Sequence, residues 1–175
     1  MPKSAIIFIL LAILGFTVQA SAQKDSWVEY KKDNYRIEYP ENWTLDTTHK
    51  TPTDFIILSP LSSAEDQFKE NLNLVIQDLS GLGFDLDNFT ALSEQQIQNY
   101  MEESELIENE RLKKGEREYQ HLIYTAKKSQ RVLRFEQYYW IINEKAYILS
   151  FTAELDKFNE YQDLSKQILD SFALK

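Results

Sequence analysis

Residues 132–154 read VLRFEQYYWIINEKAYILSFTAE, and this stretch decides the fold class. Aromatic and β-branched residues, which favour strands, fill Val132–Ile142 and Lys145–Glu154, and only the polar pair Asn143-Glu144 separates them. Successive side chains of a strand point to opposite faces, and both faces here carry apolar residues. The stretch therefore predicts two antiparallel strands in a sheet that is covered, at least in part, on both sides.

Further strands are predicted on the amino-terminal side of this pair. They are Val28–Lys31, Tyr35–Tyr39, Phe55–Leu58, Asn71–Gln77 and Tyr119–Ala126. In Tyr35–Tyr39 apolar and charged residues alternate, as in a half-buried strand, and Pro40 ends the pattern because proline cannot continue a ladder. Tyr119–Ala126 extends the opening pair into a three-stranded meander.

Two helices are predicted from apolar residues at the helical spacing. The first covers Phe89–Met101, with Asp87, Asn88 or Ser93 as its N-cap. The second covers Phe158–Phe172, which carries a continuous apolar stripe. The predicted order is several strands, a helix, the meander and a second helix. This order predicts an α+β fold, in which helices pack on the faces of a mainly antiparallel sheet.

Residues 1–22 have the features of a cleavable signal peptide. Lys3 is a short basic region, Ala5–Phe16 is apolar apart from one glycine, and Ala20-Ser21-Ala22 is an A-x-A cleavage site. An uncleaved anchor is the alternative, but the apolar run is too short to span a bilayer comfortably. We expect an exported protein, periplasmic or secreted, whose mature chain, residues 23–175, is a single domain without a membrane span.

Charge and cysteine content exclude several classes of function. The chain has 19 basic and 28 acidic residues, and removal of Lys3 with the signal peptide leaves a net charge of −10. Phosphate backbones repel such a chain, so nucleic acid is not an expected partner. Because cysteine is absent, thiol catalysis, disulfides and zinc–thiolate sites are excluded.

The motifs considered for catalysis and metal binding are incomplete. His49 lies in a polar stretch and His121 in a predicted strand, and neither has a serine partner nearby in a nucleophile motif. Asp85–Asn88 resembles the start of a calcium loop, but Thr90 replaces the required glycine and Gln96 the bidentate glutamate. The sequence therefore predicts no catalytic, cofactor-binding or metal-binding residue, and Gly81–Asn88 is interpreted as a turn that starts a helix.

An acidic run follows the first predicted helix. It consists of Glu102, Glu103, Glu105, Glu108 and Glu110. Paired carboxylates act as catalytic acid and base only where burial separates their pKa values. This run is polar, so it is interpreted instead as a solvated surface that flanks the helix end. Glu102, Glu103 and Glu105 are the candidate residues for contact with a basic partner.

Three segments in order resemble the PsbP-like family. Tyr35–Trp43 is similar to its opening strand with a Pro-x-x-Trp turn, and Asp66–Leu74 contains an F-x-E-N-x-N entry to a central strand. Ile168–Phe172 resembles the end of the carboxyl-terminal helix. The resemblance covers nearly the whole mature chain.

The resemblance implies an α-β-α sandwich and a binding function. Plant members are extrinsic lumenal subunits of photosystem II, and a related eukaryotic group binds the Ran GTPase. Neither His49 nor His121 lies in a motif that matches the metal-binding histidines proposed for plant members. The expected function is a non-enzymatic module that docks on a protein partner in the cell envelope. Alternatives are a carrier of a small apolar ligand between sheet and helix, and a hydrolase that uses carboxylates.

The cleavage site gives the first testable prediction. We expect the exported protein to begin at Gln23, because small residues occupy Ala20 and Ala22 of the predicted site. The intact mass of the protein recovered after export measures this directly. A mass that still includes Met1 and Lys3 contradicts the prediction.

Overall fold

The structure, a computed structural model, describes residues 26–175, so the predicted signal peptide with Ala22 and Gln23 lies outside the described residues. The described residues form ten strands and two helices. In chain order they are β1 (Trp27–Lys31), β2 (Tyr35–Pro40), β3 (Thr44–Asp46), β4 (Phe55–Leu58), β5 (Asn71–Asp78), α1 (Leu86–Tyr100), β6 (Glu102–Lys114), β7 (Arg117–Lys128), β8 (Arg131–Ile142), β9 (Lys145–Glu154), α2 (Phe158–Ser171) and β10 (Ala173–Leu174). No described helix is long and apolar enough to cross a membrane.

The described strands form two antiparallel sheets. The large sheet has the order β3-β4-β5-β9-β8-β7-β6, and the small sheet has the order β1-β2-β10. The meander β7-β8-β9 is paired along its length, with Trp140 opposite Tyr147 and Tyr138 opposite both His121 and Leu149. The mainly antiparallel α+β fold predicted from the sequence is confirmed.

The main core lies on one face of the large sheet, under α2 and the small sheet. Fully buried side chains from all three layers meet there: Tyr35, Ile37, Phe55, Leu74, Leu149, Phe151, Phe158 and Ile168. Each large apolar side chain buried in this way contributes about 1.5–3 kcal/mol before the loss of conformational entropy is counted. The large and small sheets and α2 therefore depend on one continuous core.

A second, smaller core lies on the opposite face, under α1. It contains Phe89 and Ile97 of the helix and Leu122, Tyr124 and Tyr139 of the sheet. The main contacts of α1 are with β6, β7 and β8, so the side chains of β4 and β5 on this face stay partly exposed. The large sheet is thus the middle layer of an α-β-α sandwich whose second outer layer is incomplete.

The start of α1 corrects the predicted N-cap. The cap is Asp85, whose side chain accepts a hydrogen bond from the Asn88 backbone at 2.9 Å, while the Asn88 side chain accepts one from the Asp85 backbone. None of Asp87, Asn88 and Ser93 is the cap. The sequence pattern misled because the reciprocal partner is an asparagine, where a capping box usually has Glu or Gln.

The acidic run is solvated and follows the helix end, as interpreted, but it is also part of a strand that the sequence pattern did not predict. It forms the first part of β6, which has 13 residues and pairs with β7. The alternation of buried and exposed apolar residues is weak there because β6 lies at the sheet edge, with little apolar surface to bury. Its position is determined by backbone hydrogen bonds to β7, which leave little trace in the side-chain pattern.

The turn between β6 and β7 holds the carboxyl-terminal end of the chain. Lys114 Nζ donates to the Phe172 carbonyl at 3.1 Å and also to the Asp170 carbonyl, and Arg117 donates to the Leu174 carbonyl at 2.5 Å. A cation stabilises the negative end of a helix dipole and satisfies its last carbonyls. Desolvation of the ammonium group lowers the pKa of Lys114. The outermost hairpin of the large sheet is thereby joined to α2.

The contribution of α2 to the main core can be tested with a single substitution. Ile168→Ala is expected to lower the free energy of unfolding by about 2–5 kcal/mol, because Ile168 is fully buried. Urea unfolding followed by circular dichroism measures the change. Ile107→Ala, at a half-exposed position, is the matched control and should stay within about 0.5 kcal/mol of the parent. Equal losses in the two variants would show that α2 is not part of the main core.

Candidate functional site

The three glutamates predicted to contact a partner lie together at the beginning of β6. Glu102, Glu103 and Glu105 are all exposed. Glu103 has a positive φ of 49°, and the register against β7 shifts between Glu102 and Glu105. Lys127 Nζ of β7 donates to the Glu103 carboxylate at 2.6 Å, which leaves two of the three carboxylates directed at solvent.

Strand β6 is the outer edge of the large sheet. Among the described residues it pairs only with β7, so the backbone groups along its other side have no strand partner. Charged side chains on an edge strand oppose edge-to-edge aggregation of like copies. Exposed edges of this kind can accept an extended segment as an added strand through backbone hydrogen bonds.

His121 is the centre of a buried polar cluster. Its Nδ1 lies 3.0 Å from Oε1 of Glu108 on β6, and its Nε2 lies 2.9 Å from Oε1 of Glu136 on β8. The imidazole therefore joins three neighbouring strands. The two carboxylates bind opposite ring nitrogens and do not converge, and no group of three or more potential ligands in residues 26–175 is arranged to hold a metal ion. A structural role follows from this geometry.

The other segments considered for chemistry are engaged in local structure. His49 is exposed, and its Nδ1 lies 3.2 Å from the Thr53 carbonyl within a loop. Asp85 caps α1, and the Asp87 carboxylate accepts a hydrogen bond from Arg111 at 2.5 Å. The acidic residues that resemble a calcium loop therefore fix the start of α1 against β6.

A half-open groove of about 410 Å³ lies between α1 and the large sheet. Phe89, Leu92 and Ile97 line it from the helix, and Tyr139 lines it from the sheet. Tyr100 also lines the groove, and 84% of its surface is exposed to solvent. The groove therefore exposes an aromatic side chain at its mouth.

A hydrogen-bonded chain of side chains forms part of the groove floor. The Tyr139 hydroxyl donates to Oε1 of Gln137 at 2.5 Å, and Nε2 of Gln137 donates to Oγ of Ser150 at 2.7 Å. Burial raises the pKa of Tyr139, so its phenol stays neutral and keeps its proton. These bonds fix the orientation of the Gln137 amide, with its oxygen toward Tyr139 and its nitrogen toward Ser150.

A second depression, of about 450 Å³, continues along the same face of the sheet. Asn71 and Asn73 of β5 and Thr152 of β9 lie on its floor, and Phe68 and Phe135 are aromatic side chains in its lining. In the sequence, Phe68, Asn71 and Asn73 belong to the F-x-E-N-x-N segment on which the family resemblance rests. That segment predicted a strand and no depression, because Thr152 and Phe135, which lie beside its amides, belong to strands much later in the chain.

Comparison with known proteins gives one family and several structures of the same fold. The family model described as PsbP matches residues 25–174. Cyanobacterial PsbP (CyanoP) from Synechocystis has a TM-score of 0.63 and 18% identity, with 89% of this chain and 96% of that chain covered. LpqN of Mycobacterium tuberculosis, described as involved in cell envelope biogenesis, has a TM-score of 0.65 and 12% identity, with 89% and 87% covered.

A protein of unknown function from Pseudomonas aeruginosa is also similar, with a TM-score of 0.60 and 14% identity, and covers 83% of this chain and 94% of its own. No curated protein sequence matches the chain. At these identities the three structures establish the fold and leave the partner and ligand open.

The structural role of His121 gives a testable prediction. His121→Leu is expected to lower the free energy of unfolding by about 1–3 kcal/mol, because the Glu136 carboxylate then loses its partner while it stays buried. Denaturant unfolding of the variant and its parent measures the loss.

The double variant His121→Leu/Glu136→Leu is the control. It should be more stable than His121→Leu alone, because it removes the buried carboxylate together with its partner. Glu136→Leu is measured alone as well, and if its loss and that of His121→Leu simply add in the double variant, His121 and Glu136 do not interact.

Proposed function

The chain belongs to the PsbP family, and on this premise we propose that it is a non-enzymatic binding module that is exported to the cell envelope and docks there on a protein partner. The predicted signal peptide supports export, with residues 23–175 as the mature domain. LpqN, a structural neighbour, is described as involved in cell envelope biogenesis, which supports the envelope as the location.

The exposed acidic edge of the large sheet carries this proposal. Within residues 26–175, strand β6 has no strand partner along one side, and it carries the exposed carboxylates of Glu102 and Glu105. An extended, lysine- or arginine-rich segment of a partner would find both backbone hydrogen bonds and opposite charge there. The net charge of −10 on the mature chain attracts such a partner over a longer range.

Electrostatic attraction of this kind acts mainly on the rate of association and its salt dependence. The edge carboxylates are solvated, so each contact with a partner cation is worth about 0.2–1 kcal/mol and is screened by salt. The Debye length falls from about 10 Å at 0.1 M salt to about 3 Å at 1 M. A docking contact on β6 should therefore weaken steadily as salt is added.

This proposal is tested by charge reversal at the edge. The variant Glu102→Lys/Glu103→Lys/Glu105→Lys should reduce capture of the partner about tenfold, because the favourable contacts of Glu102 and Glu105 become repulsive and Glu103→Lys adds a further positive charge. The purified protein is immobilised, exposed to an envelope extract at about 0.05 to 0.5 M salt, and the bound proteins are identified and quantified.

The matched control reverses three exposed charges elsewhere, in Asp156→Lys/Glu160→Lys/Asp163→Lys. It changes the net charge by the same amount and should retain most of the capture. Both variants should melt close to the parent, since the altered positions are exposed. Capture that is independent of salt and equal in the two variants contradicts docking through β6.

A further inference from the structure

The two depressions on the open face of the large sheet form one continuous groove. Gln137 lines the depression beside α1, and Phe135, two residues earlier on β8, lines the other. Residues two apart on a strand lie side by side on one face, so the two depressions adjoin there. Their volumes of about 410 and 450 Å³ are each within the range of small-molecule sites.

The described residues that line this groove include no aspartate or glutamate, although the protein has 28 acidic residues. Two cations line its outer end, and one of them, Arg131, donates to the Glu154 carboxylate at 2.7 Å. A cationic ligand would therefore find no carboxylate in the groove. An anionic ligand would find one cation, Lys128, that has no ion pair among the described residues. The lining fits an uncharged ligand.

A row of amide and hydroxyl groups crosses the middle of the floor. Asn73 of β5 lies opposite Ser150 of β9, which lies opposite Gln137 of β8. An amide side chain carries both donors and an acceptor, as a hydroxyl group does. Ile56 and Ile148 lie beside this row and add apolar surface. The floor thus has polar side chains that can hydrogen-bond to hydroxyl groups, next to apolar side chains that can pack on C–H surfaces.

The backbone beneath the groove has no free hydrogen-bonding edge to offer a ligand. Strands β5, β9 and β8 are interior strands, each paired on both sides, so an extended peptide cannot add a strand there. Phe135 stacks on Tyr124 with ring centroids 4.8 Å apart and planes within 13°, which makes a rigid aromatic platform at the floor. Recognition rests on side chains alone.

We propose that this groove binds a short, neutral oligosaccharide. The hydroxyls of a sugar donate to and accept from the amide row, and its C–H faces pack on Phe135, Ile56 and Ile148. A purely apolar ligand would cover the Asn73 amide without offering it a hydrogen bond, which costs free energy. No residue of β6 lines the groove, so this inference goes beyond the proposed docking function.

The test is a titration with maltotetraose and chitotetraose, followed by the side-chain amide signals in nuclear magnetic resonance spectra. At least one sugar, at up to about 10 mM, should shift the signals of Asn71, Asn73 and Gln137 with saturation. Asn73→Ala should raise the dissociation constant about 2- to 12-fold, the equivalent of one lost hydrogen bond. Asn159→Ala, an exposed amide on α2, is the matched control and should bind as the parent does.

The outcomes separate this inference from the docking proposal. Sugar binding should not change with salt, because the ligand is uncharged, whereas docking at β6 should. Absence of a saturable shift with both sugars overturns the inference, and so does an affinity that Asn73→Ala leaves unchanged. An equal response to decanoate or to an uncharged Ser-Gly peptide also overturns it, because it would assign the groove to an apolar ligand or to a polypeptide.

Discussion

The burial of β9 on both faces is the constraint on which the rest of the structure depends. Leu149, Phe151 and Ala153 are fully buried on one face, and Ala146, Ser150 and Thr152 are buried on the other. A strand of this kind is stable only inside a sheet that is itself covered on both sides. Its neighbours β5 and β8 supply the ladders, α2 and the small sheet cover one face, and α1 packs beside it on the other, over β6, β7 and β8.

The layer formed by α2 and the small sheet covers its face of the large sheet more completely than α1 covers the other. Both candidate binding surfaces result from this difference. The face under α2 and the small sheet is closed by a continuous aromatic and aliphatic core, which the β6–β7 turn fastens through Lys114. The face under α1 is closed only over β6, β7 and β8, which leaves the groove beside Tyr139. At the outer edge of the sheet, β6 packs only Leu106 and Leu112 against the cores and is held mainly by its ladder to β7. It can therefore carry the acidic residues.

Most elements could be predicted from the sequence because each has a local signature. The apolar stripe of Phe158–Phe172 and the dense strand pattern of Val132–Ile142 are examples, and both are confirmed. Strand β6 could not be found in this way, because an edge strand that buries few side chains has no alternating pattern. The N-cap was missed for a related reason, since Asp85 pairs with an asparagine that also looks like a cap itself.

The sequence by itself determined the fold class, the family and the acidity of the surface, since these follow from residue types and from spacing along the chain. Only the tertiary structure decided which side chains meet. Glu108, His121 and Glu136 form one cluster, and Asn73, Ser150 and Gln137 form one row, although their members are separated by dozens of residues or lie on different strands. The physical reason is that strand register brings such side chains together, and register depends on the pairing of the whole sheet rather than on any local pattern.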